Sequence, residues 1–519
     1  MISIIPSDFQ NTPQFKDEPN EFESDNLFTI RDVYTKDNTY SISESTQKLI
    51  LYKEKFPITK CLIIAAGRGS RLSDVCESKP LLSILGLKLI ERVILSAKEA
   101  GLTDFYIVIG YNDHKVREFL DKLSIKKDIK INYLYNFEWK KGNGISVLKS
   151  KKYLNENFVL LMSDHIFDPS ILVDLLKEDI EDEEIKLVVD YNIDSNRNID
   201  IDDATKVLVY DDLILDIGKN IDNFNAFDTG IFLCSPIIFD ALEESIENGD
   251  DSLSGGIKIL AERGNAKVFD IKDKYWIDID DKLSYKKAKR LLISNLKKKS
   301  DGPVSRYINR PISTKITKLL LKTNITPNII SLFTFLLAAI GSIFFFLGGY
   351  PNLIIGAVFA QFASIIDGCD GEIARLKMQT SEFGGWFDAV LDRYADALLL
   401  FGLTIFVFNL SPNFVMLLIG FLAIIGSFMN SYTADKYDGL MKKLTTPNSS
   451  YFRLGRDVRM IIILIGALLY VPFIVLIIIA VLMNVENIRR ILLFHKHYQM
   501  ISSQLPKLNI PMEYTHEDI

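Results

Sequence analysis

Hydrophobic positions divide this chain into two parts with different patterns. Between residues 59 and 295, short apolar runs such as KCLIIAAG, DFYIVIGY, INYLYN and NFVLLMSD alternate with helical stretches such as LIERVILSAKEAG. Strands that alternate with helices predict a mostly parallel, doubly wound α/β sheet. From about residue 328 onward, the apolar runs are long enough to cross a bilayer as helices.

The C-terminal part predicts an all-α integral membrane domain of six transmembrane helices. Four spans are expected near 331–349, 352–370, 386–409 and 412–431, and a further apolar run, 460–483, is interrupted by Pro472. The segments on both sides of that run are basic. Basic segments stay on the cytoplasmic side, so an odd number of crossings between these two is disfavoured. The run is therefore predicted to be two spans. Both termini, the soluble domain and both candidate sites are then expected on the cytoplasmic face of the cell membrane.

These patterns predict five segments along the 519 residues. They are a polar N-terminal extension (1–58), the α/β domain (59–295), a basic amphipathic linker (296–327), the six-span domain (328–500) and a C-terminal tail (501–519). The linker is either a solvated connection or an interfacial helix on an anionic membrane surface, and we favour both roles together. The net charge of −7 argues against general nucleic-acid binding.

Four carboxylates stand at helical spacings within the sequence DGCDGEIARLKMQTSEFGGWFDAVLD. Asp367 and Asp370 are three residues apart, and Asp388 and Asp392 are four apart, so each pair shares one helix face. Carboxylates at membrane depth are costly and usually mark a functional site, although single ones can also cap helices at the membrane edge. Two facing pairs can hold one or two Mg²⁺ ions, which in turn bind a pyrophosphate-bearing substrate.

The complete pattern D-x-x-D-G-x-x-A-R-x8-G-x-x-x-D-x-x-x-D resembles the signature of the CDP-alcohol phosphotransferases. The resemblance implies three metal ligands, Asp367, Asp370 and Asp388. Asp392 is implied to be the general base on the acceptor hydroxyl and to contact metal as well. The positions expected to lie beside the nucleotide are Gly371, Ala374 and Arg375.

A second motif follows the first predicted strand of the soluble part. It reads AAGRGSRL, with Ala65, Gly67, Gly69 and Arg71, and Lys79 of a K-P pair comes shortly after it. Glycines let backbone amides approach phosphates, and the two cations supply charge to a leaving pyrophosphate. A ligand-free tight turn is the simpler alternative. The motif lacks the G-K-[ST] ending of a Walker loop.

This motif resembles the nucleotidyltransferases that make nucleotide sugars and related activated alcohols. The segment WKKGNGISV looks like their base-recognition and substrate segment, which implies roles for Lys141, Asn143 and Gly144. Asp164 is placed like the first metal ligand of that family. Asp278 is placed like the second, with Asp280 as its competitor. A carboxylate pair of this kind clamps Mg²⁺ against the α-phosphate.

Further charged residues on the acceptor side of this resemblance are weaker candidates. Lys206, Lys219 and Asp228 are expected to contact substrate, although each is also the kind of charge found on any protein surface. His165, next to Asp164, is interpreted as a packing or hydrogen-bonding residue.

The order of the two halves resembles bifunctional enzymes that pair inositol-1-phosphate cytidylyltransferase with di-myo-inositol phosphate phosphate synthase. The resemblance implies that CTP and inositol-1-phosphate give CDP-inositol, which then reacts with a second inositol-1-phosphate. That acceptor carries a phosphate, so a cationic pocket is expected. The residues predicted to form this pocket are Lys436, Arg456 and Arg459. Alternatively, these cations only hold their helices in the membrane with the basic ends on the cytoplasmic side.

Two other functions remain open at this point. One is a phospholipid-making fusion that uses another activated alcohol and a lipid acceptor. The other is a degenerate soluble domain that senses nucleotide or tethers an active membrane enzyme. The membrane family commonly dimerises through its spans, so the resemblance also implies a possible homodimer.

Overall fold

The computed structural model describes residues 58–181, 183–193, 201, 203–297, 301–444 and 455–504. From Ile58 onward these residues belong to one compact unit. The predicted N-terminal extension, apart from Ile58, and the predicted tail beyond Gln504 lie outside the described residues.

The soluble part is built on a nine-stranded sheet with two short two-stranded sheets beside it. The strands are β1 (Lys60–Ala65), β2 (Ser83–Ile84), β3 (Leu87–Lys88), β4 (Asp104–Ile109), β5 (Lys130–Tyr135), β6 (Phe158–Met162), β7 (His165–Phe167), β8 (Ile185–Asp190), β9 (Lys206–Tyr210), β10 (Leu213–Gly218), β11 (Ala226–Cys234), β12 (Ala266–Asp270) and β13 (Trp276–Asp278).

Helices accompany this sheet and then form the rest of the chain. In the soluble part they are α1 (Leu89–Glu99), α2 (Asp113–Lys127), α3 (Asn143–Leu148), α4 (Ser170–Leu175), α5 (Ile237–Glu247), α6 (Leu253–Glu262) and α7 (Lys282–Ser294). Beyond it come α8 (Arg310–Leu320), α9 (Pro327–Leu347), α10 (Tyr350–Leu376), α11 (Glu382–Leu410), α12 (Phe414–Leu444), α13 (Arg456–Leu468) and α14 (Pro472–Gln504).

The large sheet has the order β5-β4-β1-β6-β11-β8-β12-β10-β9. Its first four strands are parallel, as the alternation of strands and helices predicted. In the other half β8 and β12 are also parallel, but the remaining pairings are antiparallel, so the prediction of a mostly parallel sheet is wrong there. There β11 runs antiparallel to both β6 and β8, and β9 and β10 form a hairpin. Asp211 and Asp212 both adopt left-handed backbone angles between β9 and β10, which reverses the chain without a crossover helix.

Helices cover the large sheet on both faces, and each face has its own apolar core. Successive residues of β1 point to opposite sides: Cys61 and Ile63 pack with α1 and α2, whereas Leu62 and Ile64 pack with α5 and α6. Because β1 and β6 are parallel and neighbours, their carboxyl ends meet at one edge. The Gly-rich turn and Asp164 therefore lie side by side.

The described residues of the C-terminal part from Pro327 onward form six helices, α9 to α14. Four of them, Pro327–Leu347, Tyr350–Leu376, Phe414–Lys436 and Pro472–Lys496, are long and apolar enough to cross a membrane. Helix α13 has only 13 residues, and α11 carries several charged residues. The predicted interruption at Pro472 is confirmed, since α13 ends at Leu468 and α14 begins at Pro472. Six crossings therefore remain a prediction.

The predicted basic linker is divided between the two parts. Helix α7 begins at a capping box between Asp281 and Ser284 and ends at Ser294, just before the predicted linker, whose first residue, Leu296, is buried against α7 in the soluble domain. Helix α8 packs instead against α10, where the fully buried Glu372 accepts hydrogen bonds from Arg310, Ser313 and Thr317 at 2.9, 2.6 and 2.7 Å. The membrane-surface position of this segment stays a prediction.

Candidate active sites

The Gly-rich turn places a lysine inside the soluble site. Gly69 has φ of +64°, and a Cβ at this position would lie 2.5 Å from the Cβ of Lys79. Lys79 itself is 8% exposed. A glycine is therefore required here both for the backbone angle and for the close approach of the lysine stem.

Lys79 lies among the carboxylates that the sequence singled out. Its Nζ is 2.6 Å from Asp164 Oδ2, 2.5 Å from Asp280 Oδ1 and 3.8 Å from Asp278 Oδ1. Strand β13 pairs with β7 so that Asp278 stands opposite His165. This pairing brings Asp164, His165 and Asp278 together, with ligand atoms all within 4.8 Å of one another. Asp280 instead divides its contacts between Lys79 and Arg71.

The electrostatics of this cluster follow from burial and mutual charge. Burial alone would lower the pKa of His165, but the Asp278 and Asp164 carboxylates raise it to about 9. Burial raises the pKa of Asp278 to about 7. Burial also opposes the charged form of Asp164, yet Lys79 and His165 hold its pKa below the usual range. Asp278 Oδ1 is buried without a hydrogen-bond partner among the described residues, so the donor set fits a divalent cation.

A cleft of about 730 Å³ opens beside this cluster. The predicted residues that line it are Arg71, Asn143, Asp164, Lys219, Asp228, Asp278 and its alternative Asp280. Asp203 Oδ1 accepts from Lys219 Nζ at 2.7 Å, and its other oxygen pairs with Arg71. Asp203 was not predicted as a site residue, although it lies three residues before Lys206 in the same acceptor-side segment, DDATKV.

Other predicted residues lie at the margin of the cleft or away from it. Lys141 is exposed and pairs with Glu138, and Lys206 lies over the ring of Phe224 at 5.4 Å. The amide of Gly144 donates to Asp251 O at 3.1 Å. Ala65 is buried at the end of β1, whereas a Cβ on Gly67 would meet nothing within 4 Å.

The membrane part brings three of its four predicted carboxylates together. Oxygen atoms of Asp367, Asp388 and Asp392 all lie within 4.8 Å of one another. The fourth, Asp370, accepts from Ser331 Oγ of α9 at 2.5 Å. The pairs on α10 and α11 therefore face each other, and this donor set also fits a divalent cation.

Of the two arginines that were predicted to bind the acceptor, Arg456 lies against this cluster and Arg459 lies against the neighbouring Asp396. Arg456 Nη1 is 2.9 Å from Asp367 Oδ1 and also contacts Asp392. Arg459 is 2% exposed, and its Nη2 is 2.5 Å from Asp396 Oδ2. Asp396 was missed, although its spacing of four residues after Asp392 repeats the spacing of the motif.

The remaining predicted positions are distributed around the membrane site. Arg375 Nη2 donates to Leu296 O at 3.3 Å, and a Cβ on Gly371 would lie 3.3 Å from Arg375 Nη1. Ala374 is one residue before that arginine on α10. Lys436 lines a separate cleft of about 340 Å³ between α12 and α14, together with Arg490.

Comparison with known proteins agrees with this division. The MobA-like NTP transferase domain matches residues 61–197, and the CDP-alcohol phosphatidyltransferase family matches residues 324–486. A bifunctional IPC transferase and DIPP synthase of Rubrobacter xylanophilus is 33% identical over 83% of this chain and 95% of its own length. The chain belongs to this bifunctional family.

Two further proteins are similar to the chain. A bifunctional IPC transferase and DIPP synthase of Aquifex aeolicus is 31% identical over 85% of this chain and 99% of the relative. Among solved structures, the inositol-1-phosphate CTP transferase from T. maritima is 29% identical, with a TM-score of 0.40, and the match covers 45% of this chain and 96% of that one. The identity to the two bifunctional relatives and the two family matches confirm the predicted resemblance to a bifunctional transferase.

Proposed function

We propose that this chain catalyses two consecutive transfers. CTP and inositol-1-phosphate give CDP-inositol and pyrophosphate, and CDP-inositol with a second inositol-1-phosphate gives di-myo-inositol phosphate phosphate and CMP. The observation that carries the proposal is the 33% identity to a bifunctional relative over 95% of that relative's length. Two carboxylate clusters in one compact unit support it, one for each reaction.

In the first transfer, a phosphate oxygen of inositol-1-phosphate attacks the α-phosphorus of CTP. The new P–O bond forms as the bond to the β-phosphate oxygen breaks, so pyrophosphate leaves with the negative charge. Lys79 and Arg71 lie where they can neutralise that charge, and Lys219 faces the same cleft. The reaction needs positioning and charge compensation, with no covalent intermediate on the protein.

In the second transfer, a hydroxyl of the acceptor attacks the inositol-bearing phosphorus of CDP-inositol, and CMP leaves. Asp392 takes the hydroxyl proton as general base. Gly371 and Ala374 leave room for the cytidine on α10, beside Arg375. Arg456 is the cation proposed for the acceptor phosphate, because Lys436 lines a separate cleft and Arg459 is paired with Asp396. Arg456 must exchange a carboxylate contact for that phosphate.

Each site is proposed to hold one or two Mg²⁺ ions. In the soluble site the holders are Asp164 and Asp278, with Asp280 as the alternative to Asp278. In the membrane site they are Asp367, Asp370, Asp388 and Asp392. When bound, the metal neutralises phosphate oxygens and orients the phosphorus for in-line attack. Asp278 Oδ1, which is buried and accepts no hydrogen bond from the described residues, supports a cation at the first site.

We further propose six crossings with both sites on the cytoplasmic face, because basic segments flank the α13–α14 pair. A homodimer through the membrane helices also remains a proposal. The soluble substrates CTP and inositol-1-phosphate require only cytoplasmic access.

The test is phosphorus NMR on detergent-purified protein with CTP, Mg²⁺ and inositol-1-phosphate and without lipid. We expect pyrophosphate, CDP-inositol and then a phosphodiester with CMP. Pyrophosphate without a diester until lipid is added would replace the second step by lipid synthesis. A CTP titration without pyrophosphate release would refute cytidylyl transfer to this alcohol.

Two variants separate the steps in the same assay. Asp392→Asn should stop the sequence at CDP-inositol, because the proton acceptor is lost while the soluble cleft is untouched. Lys79→Met should prevent pyrophosphate release but leave conversion of added CDP-inositol unchanged. A parallel loss of both steps in either variant would contradict the assignment of one site to each reaction.

A further inference from the structure

The soluble domain holds the end of the helix that carries half of the membrane site. Arg92 lies on α1 and is 6% exposed. Its Nη2 donates to Leu376 O at 2.9 Å, and Leu376 is the last residue of α10. Carbonyls in the last turn of a helix lack intrahelical donors, and a cation there also interacts favourably with the helix dipole.

The same contact region continues on both sides of this hydrogen bond. Gly86, in the turn between β2 and β3, has φ of +93°, and a Cβ there would lie 3.3 Å from Leu321 and 3.4 Å from Lys377. In the other direction, Arg375 Nη2 reaches Leu296 O, which lies just after α7 of the soluble domain. The two parts therefore meet at the motif itself.

One apolar cluster joins residues next to both sites. It contains Leu72, which follows Arg71 in sequence, and Ile277 and Ile279 on either side of Asp278. Leu376 is buried in the same cluster. Because packed cores are close to crystalline density, a shift of one member is felt by the others.

The end of α10 matters for catalysis because a short connection there leads into the second helix of the membrane site. Only residues 377–381 connect α10 to α11. Asp367 lies on α10, and Asp388 and Asp392 lie on α11, so this connection contributes to the separation of the carboxylates. Met378 within it adopts φ of +48° and packs against the core of the soluble domain.

We propose that Arg92 is a positioning residue for the membrane site: by capping Leu376 it fixes the end of α10 and hence the spacing of the facing carboxylates. This inference rests on the proposed phosphotransfer. It makes the soluble domain a structural part of the second active site as well as the source of its substrate. Arg92 contacts neither substrate, so its effect is on the alignment of other groups.

The experiment uses the full-length protein and CDP-inositol supplied directly, so that the first reaction is not required. Arg92→Met keeps the aliphatic stem but removes the donors, and Arg92→Lys retains a cationic donor. Arg117→Met is the matched control, because Arg117 is exposed on α2 and bonds Tyr135 within the soluble domain. Phosphotransfer kinetics, CTP-dependent pyrophosphate release and hydrogen exchange are measured on each preparation.

We expect Arg92→Met to lower kcat for phosphotransfer about 10- to 100-fold, the scale of a misplacement of roughly 1 Å in a catalytic geometry. KM for CDP-inositol and the rate of pyrophosphate release should change less than about threefold, because the substrate contacts themselves remain. Amides of residues 377–379 should exchange faster. Arg92→Lys should recover part of kcat, and Arg117→Met should match the wild type.

Phosphotransfer by Arg92→Met within twofold of the wild type would overturn the inference, as would a parallel fall of both activities. If Arg92→Met does not fold, Gly86→Ala tests the same contact region from the turn between β2 and β3. It should likewise lower kcat for phosphotransfer and leave pyrophosphate release nearly unchanged. A wild type that does not consume CDP-inositol refutes the proposed function instead. In that case, the hydrogen exchange of Arg92→Met still tests the contact between Arg92 and Leu376. Faster amide exchange confined to residues 373–381 supports this contact, and exchange unchanged from the wild type refutes it.

Discussion

Gly69→Ala tests how the Gly-rich turn positions Lys79. A residue with a Cβ in the left-handed region costs about 1–2 kcal/mol of stability. In addition, the new Cβ would lie 2.5 Å from Lys79 Cβ, whereas carbon atoms pack at about 3.5–4.0 Å. The stem of Lys79 must therefore move by about 1 Å, and a displacement of that size costs about 100-fold in rate.

The matched control is Gly264→Ala. Gly264 has φ of +73°, similar to the +64° of Gly69, but a Cβ there would meet nothing within 4 Å. Both variants should lose about 2–8 °C in the melting temperature, from the same backbone cost. Only Gly69→Ala should lose pyrophosphate release, by about 100-fold, and conversion of added CDP-inositol should persist in both.

The assay is pyrophosphate release at saturating CTP and inositol-1-phosphate, with thermal melting measured on the same preparations. Release by Gly69→Ala within threefold of Gly264→Ala would refute the reasoning, because it would mean that the close approach to Lys79 has no catalytic consequence. A loss of phosphotransfer from added CDP-inositol would show that the damage is not local.

Three further predictions address the remaining charges. Arg456→Met should abolish phosphotransfer with pyrophosphate release unchanged, because the half-buried carboxylates of Asp367 and Asp392 then lose the cation that holds them; activity above about a tenth of wild type in the CDP-inositol assay would contradict this. Asp203→Asn should lower KM for CTP or inositol-1-phosphate about two- to tenfold, because it frees Arg71 and Lys219 from exposed ion pairs; steady-state kinetics with a raised KM would speak against it. Glu372→Gln should destabilise the protein by about 3 kcal/mol, the lower end for a broken buried pair, and a melting temperature unchanged in detergent would rule this out.

Local sequence determined the motifs and many of the elements. Period-two and period-3.6 patterns depend only on neighbouring residues, so β1, β4, β5 and β6 and the break at Pro472 were predicted correctly. The spacing within each carboxylate pair and within the Gly-rich motif likewise depends on one helix or one turn. For the same reason the sequence was sufficient to indicate the two chemistries.

Tertiary structure decided which of these residues meet. The turn at Asp211 and Asp212 makes β9 and β10 an antiparallel hairpin, and β11 enters the sheet antiparallel to β6 and β8, neither of which a strand–helix alternation reveals. Residues far apart in sequence also met: Ser331 binds Asp370, and Arg459 pairs with Asp396. Spacing along a single helix carries no information about a partner on another. The bond from Arg92 to Leu376, 284 residues away, is the clearest case, because a side chain that caps a distant helix end leaves no local pattern.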